Sequence, residues 1–334
     1  MSGRVLQVDD TAILVPYTYE TTRLAEAGIS LEEGFCVTPE DVVSRAADAD
    51  VLWLSWKPHL DRTILEALPK VRLVIRWGIG FEQIDLDAAT ALGIAVANAP
   101  TYGSEDVAEH SLALLLALER DIVRFDADMR TGGWTTPQPG SIRRLRGMTL
   151  GLLGVGRIGA ALARRAIGIG LNVIGYDAYL SEADFAVIGV EPVTLEALAE
   201  RSDYVSVHVP HTPHTNGMID AAFLGRMRED AYLINTSRGK VINEDDLITA
   251  LQSGSIAGAG LDVYETEPLP PEHVLRSLSN VILTPHYAGY SVQSWADLRE
   301  EMCRTTIDFL TTGWADTVVN PGVRDRLRSA TTGI

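Results

Sequence analysis

Three charged residues in the second half of the chain each follow an apolar run that reads as a strand. Arg238 stands in Leu233-Ile-Asn-Thr-Ser-Arg-Gly239, Glu267 in Leu261-Asp-Val-Tyr-Glu-Thr-Glu-Pro268 and His286 in Leu283-Thr-Pro-His-Tyr-Ala-Gly289. Ligands of open α/β sheets bind at the carboxyl ends of strands, which is where these side chains should lie. An arginine grips a carboxylate through two parallel N–H bonds. A histidine moves protons near neutral pH, and a neighbouring carboxylate orients it and favours its imidazolium. Taken singly, each residue has a plainer reading: a surface ion-pair partner, a solvated loop acid, a loop histidine after proline. Their occurrence after successive strands is what points to a site for moving a proton on an acid substrate.

A second pattern supplies the other half of such a reaction. Thr149-Leu-Gly-Leu-Leu-Gly-Val-Gly-Arg-Ile-Gly159 reads as a strand, a glycine turn and a helix start, with Gly154, Gly156 and Gly159 as G-x-G-x-x-G. The first glycine permits a tight turn, the second lets backbone approach a pyrophosphate, and the third lets the helix pack on the strand. The helix N-terminus offers free N–H groups to phosphate. A second strand, Asn172-Val-Ile-Gly-Tyr-Asp177, ends in an acid eighteen positions after Gly159, near the ~20 expected of a residue that binds a ribose 2′-hydroxyl. That acid would repel a 2′-phosphate, so the pattern favours NAD over NADP. A nicotinamide and a His–Glu pair together provide the hydride and proton acceptors that alcohol dehydrogenation needs.

These motifs need a scaffold, and the chain is large enough for two domains with 334 residues. Its 46% hydrophobic and 22% charged residues are globular values. A formal charge of −17 argues against broad nucleic-acid or anionic-membrane binding and reads as solubility. The two cysteines, Cys36 and Cys303, have no metal-ligand spacing and read as reduced thiols. No His/Cys/Asp cluster has metal-site spacing, so no metal is expected. No signal peptide is read at Met1-Ser-Gly-Arg-Val, and the apolar run Leu112 to Leu118 is too short to span a bilayer. A cytoplasmic protein is expected.

The first hundred residues alternate apolar runs (Val5–Val8, Val51–Leu54, Leu73–Ile75, Ile94–Ala97) with helical patterns (Asp61–Leu68, Leu86–Leu92), the mark of a parallel sheet with crossover helices. This half has no glycine fingerprint. Asn98-Ala-Pro100 and Gly103 mark a break, and a long helix apolar on more than one side is expected from Ser104 to Arg130. A loop, Thr131 to Gly140, follows. The second α/β unit should hold strands at 149–153, 172–176, 204–208, 231–235, 257–261 and 281–283, and a last helix should run from Ser291 to Gly313. The expected fold is α/β, with two Rossmann-like doubly wound parallel-sheet domains and an active-site cleft between them.

The chain resembles the D-isomer-specific 2-hydroxyacid dehydrogenases over nearly its full length. The resemblance rests on Gly78-Ile-Gly-Phe-Glu-Gln-Ile-Asp85, Asn98-Ala-Pro100, Val107-Ala-Glu-His110, the glycine fingerprint, His208-Val-Pro210 with Thr212 and Thr215, Asn235-Thr-Ser-Arg-Gly239, Leu261-Asp-Val with Glu267-Pro268, and Thr284-Pro-His286. It implies that Arg238 binds the substrate's carboxylate and carbonyl region, that His286 is the general acid/base, and that Glu267 is its partner. It implies that Asp262 contacts the nicotinamide carboxamide, that backbone at Ile79 and Gly80 holds the substrate carboxylate, and that His208, Val209, Pro210 and Thr236 line the cofactor. Val155, Arg157 and Ile158 in the glycine loop, with Asp177, Thr215, Ser237 and Val107, complete the expected NAD set. The implied division is a discontinuous substrate domain, residues 1–100 and 289–334, around a cofactor domain at 101–288. A homodimer through the cofactor domains is implied as well.

Ile75-Arg-Trp-Gly-Ile-Gly-Phe81, Asp177-Ala-Tyr-Leu-Ser181 and Tyr287-Ala-Gly-Tyr-Ser291 resemble the branch containing the C-terminal-binding-protein corepressors. Gly289 departs from that branch, which has a tryptophan in this loop. Phe81-Glu82-Gln83 departs from the commoner pattern but keeps its charge and amide. Leu54-Ser-Trp-Lys-Pro-His59 falls where the family places a substrate-facing loop, so Trp56 either lines the pocket or packs on its domain, and Lys57 either meets an anion or is solvated. His110 reads as structural or as part of a hinge, and His211 and His214 as residues near the cofactor strand or plain loop residues. Glu267 argues against formate dehydrogenase, which resembles this pattern with glutamine there. A short-form phosphoglycerate dehydrogenase, short because the chain ends at Ile334, and an NAD(H)-responsive corepressor-like protein remain as alternatives. The leading expectation is a D-2-hydroxyacid dehydrogenase, with the particular acid unspecified.

Overall fold

The computed structural model describes residues 3–9, 16–138 and 142–329. By its internal contacts the chain forms two compact units, one of residues 1–102 and 291–334, the other of 103–290. The chain passes between them two residues beyond each expected boundary.

The first unit holds β1 (Gly3–Gln7), β2 (Ile29–Glu33), β3 (Val51–Leu54), β4 (Leu73–Arg76) and β5 (Ala95–Ala97). They form an all-parallel sheet of order β2-β1-β3-β4-β5. Strands of such sheets are covered on both faces and need near-continuous apolar sequence. β3 and β4 meet that demand and are fully buried. β2 was not expected: Ile-Ser-Leu-Glu-Glu lacks an apolar run, and it forms because an edge strand needs to bury only part of one face. Asp61 and Asp85 cap the helices Arg62–Glu66 and Leu86–Ala91 by accepting from Ile64 and Ala88 N–H.

The helix Val292–Thr312 belongs to this unit although it follows the second unit in sequence. Ser291 and Ser294 cap it reciprocally, and Gly313 at φ +82° ends it. Thr306 on this helix accepts a 2.9 Å hydrogen bond from the buried Trp53 indole of β3. Asn320 then pins the chain to β5, accepting from Val96 N–H and donating to Ile94 O.

The second unit holds β6 (Thr149–Leu153), β7 (Asn172–Tyr176), β8 (Glu191–Pro192), β9 (Tyr204–Val207), β10 (Tyr232–Asn235), β11 (Gly258–Leu261) and β12 (Val281–Leu283). The order is β12-β11-β10-β9-β6-β7-β8, again all parallel. The two Rossmann-like doubly wound sheets are thus present. Strand order reverses between β6 and β9, which makes their carboxyl ends a topological switch point.

The expected Ser104–Arg130 helix is two helices, Ser104–Glu119 and Ile122–Arg130. The break is at Asp121, whose φ of +56° is left-handed. Aspartate tolerates that conformation better than most residues, and no glycine or proline announced it. The first helix is buried at Val107, Ala108, Ser111, Leu114, Leu115 and Leu118, whereas the second has no buried residue. The end of the Thr131–Gly140 loop, Pro139 and Gly140, lies outside the described residues.

Candidate active site

The glycine loop leaves β6 at the switch point. Gly154 has φ +92°, and a Cβ there would stand 2.9 Å from the His208 carbonyl carbon and from Val209 Cγ1. A Cβ on Gly159 would overlap the Gly154 carbonyl oxygen, while one on Gly156 would meet nothing within 4 Å. The loop therefore needs glycine at two positions to close on itself and on β9, and at the third it faces open space. The helix Arg157–Gly168 starts at Gly156 with no side-chain cap, so its first N–H groups are available to an anion. Asp177 ends β7, accepting from Val155 N–H at 2.9 Å and from Tyr179 N–H at 3.0 Å. A backbone cradle open at its middle glycine, an uncapped helix and a carboxylate at the next strand end fit a dinucleotide pyrophosphate and a ribose diol.

The other residues expected at the cofactor fall into two groups. His208 and Val209 touch the glycine loop, and Arg157 and Ile158 open its helix. Burial pushes the His208 imidazole down to about 3, and its Nε2 pairs with Ser206 Oγ at 2.9 Å. Four others are engaged within the protein. The Thr215 hydroxyl donates to Pro210 O, Thr236 pairs with Ser111 Oγ at 2.8 Å, Ser237 donates to Asn235 Oδ1, and the Val107 carbonyl accepts from Ser111.

Arg238, Glu267 and His286 are brought together by three turns at the ends of β10, β11 and β12. Asn235, fully buried, organises the first: its Oδ1 accepts from Ser237 N–H and Oγ, and its Nδ2 donates to Arg238 O at 3.0 Å. Gly239 then lies against the Tyr264–Glu265 peptide so closely that any Cβ would overlap it. This apposition sets the Arg238 turn beside the turn carrying Glu267. Glu267 Oε1 accepts from Tyr264 N–H at 2.9 Å, and Oε2 lies 2.6 Å from His286 Nδ1. Burial opposes ionisation of Glu267, but the His286 hydrogen bond and charge, the Tyr264 N–H and the Arg238 charge outweigh it and hold the carboxyl below its ordinary range. An ionised Glu267 accepts from His286 Nδ1–H and so fixes the tautomer and orientation of the ring.

His286 has φ +53°, uncommon for a side chain with Cβ, and such strain persists only where neighbours over-determine it. Asp262 does this. Its carbonyl accepts from His286 N–H at 2.8 Å, and its buried carboxylate accepts from Tyr287 N–H, Ala288 N–H and Thr284 Oγ1. This carboxylate, expected at a nicotinamide carboxamide, is turned onto the loop that carries His286.

The first unit presents Ile79 and Gly80 just after β4, with Ile79 O accepting from Asn98 Nδ2 at 2.6 Å. Trp56, half exposed, follows β3, and the Arg76 guanidinium lies 4.7 Å from its ring centroid. Arg76 is itself buried at the end of β4 and donates to Trp77 O. Sequence reading missed Arg76 and Asn235 as contributors. A charged or amide residue closing a fully apolar strand was the available signal in both cases. Among the described residues no group of three His, Cys, Asp or Glu is placed to hold a metal ion. No helix among them is long and apolar enough to cross a membrane.

Residues 112–288 match the family model for the NAD binding domain of D-isomer specific 2-hydroxyacid dehydrogenases. The chain is 40% identical to a glyoxylate reductase of Korarchaeum cryptofilum over 88% of its length and 92% of the relative's. The chain belongs to the D-isomer specific 2-hydroxyacid dehydrogenase family. It is 36% identical to a D-3-phosphoglycerate dehydrogenase of Mycobacterium leprae, aligning with 86% of this chain but only 54% of that protein. A D-lactate dehydrogenase from Aquifex aeolicus, solved with NAD and lactic acid, has a TM-score of 0.82 at 30% identity, covering 94% of this chain and 99% of the other. This family member is an NAD-dependent oxidoreductase acting between 2-hydroxy and 2-keto acids.

Proposed function

We propose that this enzyme reduces a small 2-keto acid to the D-2-hydroxy acid, with Arg238, Glu267 and His286 as its catalytic set. The observation that carries the reading is the 2.6 Å pairing of His286 Nδ1 with an ionised Glu267 beside the Arg238 turn. When bound, NADH supplies the hydride. Arg238 holds the acid's carboxylate through its paired N–H groups and keeps the keto oxygen oriented. His286 Nε2 gives its proton to that oxygen as negative charge develops, and in oxidation it takes the proton from the hydroxyl. Glu267 stabilises the imidazolium and fixes the ring. In the first unit, Ile79 and Gly80 are further candidate substrate contacts through their backbone N–H groups, as is Trp56, which stacks with Arg76.

For the cofactor, the glycine loop from Gly154 to Gly159 holds the pyrophosphate, Asp177 the adenosine ribose, and His208, Val209 and Pro210 the adjoining wall. Thr215, Thr236, Ser237 and Val107 complete the proposed cofactor contacts, with Asp262 at the nicotinamide carboxamide. Likeness to glyoxylate reductases supports glyoxylate or a similarly small acid. The corepressor-like and phosphoglycerate dehydrogenase alternatives are not favoured. The test is NADH oxidation followed by absorbance with glyoxylate, hydroxypyruvate, pyruvate, phenylpyruvate and 3-phosphohydroxypyruvate. Turnover of a small acid supports the proposal; tight NADH binding with no turnover on any acid defeats it.

Asp177 sets the cofactor preference. Asp177→Asn keeps an acceptor for Val155 N–H and removes the charge that repels a 2′-phosphate. The expected result is KM for NADH raised about tenfold, with a similar narrowing of the NADH over NADPH preference in kcat/KM. Unchanged cofactor selectivity would show that specificity lies elsewhere.

We also place the enzyme in the cytoplasm as a homodimer joined through the cofactor unit. Both cysteines are free and buried, in keeping with a reducing compartment. The helix Ile122–Arg130 and the segment after it expose Ile122 (54%), Val123 (52%), Met129 (52%) and Trp134 (83%). Large apolar side chains exposed along one segment support an interaction surface there. Ile122→Asp with Val123→Asp should convert a dimer to a monomer in sedimentation equilibrium; a monomeric parent protein would refute the assembly.

A further inference from the structure

The helix Ser104–Glu119 touches two of the strand ends that build the site, through adjacent residues. Ser111 Oγ meets Thr236, just before the Arg238 turn, and His110 Nε2 lies 3.1 Å from Thr284 Oγ1, just before His286. The direction of the second contact follows from its neighbours. Thr284 Oγ1 donates its proton to Asp262 Oδ1 at 2.5 Å, so its lone pair is left to accept from His110 Nε2–H. Asp262 Oδ1 also accepts from Tyr287 N–H at 3.1 Å, and Oδ2 accepts from Ala288 N–H at 2.9 Å. The His110 ring packs edge-on against Tyr287, with centroids 4.8 Å apart. A chain of donors therefore runs from His110 through Thr284 to Asp262, and Asp262 holds the Thr284 hydroxyl before His286 and the backbone N–H groups of His286, Tyr287 and Ala288.

We propose that His110 is a positioning residue for the proton-transfer histidine, fixing through Thr284 and Asp262 the 284–288 turn on which His286 stands. This rests on the role given to His286 above. The groups facing His110 suit a neutral donor. Burial pulls its imidazole below the ordinary range, against the raising effect of Asp262, whose carboxylate lies 3.7 Å from Nε2. A neutral ring with its proton on Nε2 polarises Thr284 toward Asp262 without competing for the carboxylate as a full cation would. The strained φ of His286 makes such bracing necessary, since the turn would otherwise relax. Misplacement of a reacting group by about 1 Å can cost about 100-fold in rate.

The test compares His110→Phe, which keeps a ring against Tyr287 but has no donor, with His110→Gln, whose amide can donate to Thr284. Amide hydrogen exchange of the peptide spanning residues 284–290 is measured in each full-length protein, alongside kcat and KM. Exchange in His110→Phe should be about tenfold faster than in the parent, with exchange over β7 unchanged. Its kcat should fall about tenfold, with KM for NADH within about twofold, and His110→Gln should restore both to within about threefold of the parent. Parent-like exchange in His110→Phe overturns the proposal, as does a His110→Gln protein as impaired as His110→Phe. Should His110→Phe fail to fold, His110→Asn, too short to reach Thr284, replaces it in the same comparison. Absence of turnover in the parent protein would defeat the reading of the function, while the exchange comparison would still decide the role of His110.

Discussion

His286→Ala is expected to lower kcat for keto-acid reduction by about 1,000-fold while leaving NADH affinity within about twofold. A positioned acid/base contributes on the order of 100- to 10,000-fold, and about 4 kcal/mol of barrier corresponds to the middle of that range. The imidazole is fixed to Glu267 through Nδ1 and is the group proposed to exchange the proton, so its removal takes the acid/base away. Glu267→Gln should cost less, about 100-fold, because the proton donor survives but loses the negative partner that favours its charged form. NADH affinity should stay within about twofold in Glu267→Gln as well. In the parent protein Glu267 stays ionised through the ordinary carboxylate range, because its carboxyl is held below it. The stability it contributes is lost only as pH falls through that lowered value. Steady-state kinetics across pH, with NADH binding by fluorescence, checks all three expectations. A His286→Ala enzyme retaining more than a tenth of parent kcat would remove His286 from the chemistry.

Arg238→Ala is expected to reduce kcat/KM for the keto acid by about 1,000-fold, with most of the loss recovered by neither raised NADH nor raised protein concentration. The protein carries a formal charge of −17, so an anionic substrate depends on a local cation. Arg238 also helps hold Glu267 ionised, and without it the Glu267 carboxyl rises toward its ordinary range. The acid limb of the pH profile should therefore move to higher pH in Arg238→Ala. Arg238→Lys should recover little, since a lysine keeps the charge but not the two parallel donors of the guanidinium. Added guanidinium ion should partly restore Arg238→Ala. Parent-like kcat/KM in Arg238→Ala would mean that the substrate carboxylate is held elsewhere.

The sequence by itself determined the features that depend on local periodicity and short motifs. β3, β4 and the strands of the second sheet other than the exposed two-residue β8 were legible because burial demands apolar runs. The glycine fingerprint with Asp177 was legible because a phosphate cradle demands fixed spacing over a few residues. Arg238, Glu267 and His286 were legible as members of one site because each closes such a strand. β2 was not, since an edge strand buries too little to impose a pattern, and neither was the break at Asp121, where no glycine or proline marks the left-handed turn. Only the tertiary structure decided what the intervening residues do. Asp262, Thr284 and His110 find their partners across strand ends and helices far apart in sequence. Burial makes each of their polar atoms costly to leave unpaired. That requirement acts in space rather than along the chain, so residues with ordinary local context become the braces of the His286 turn.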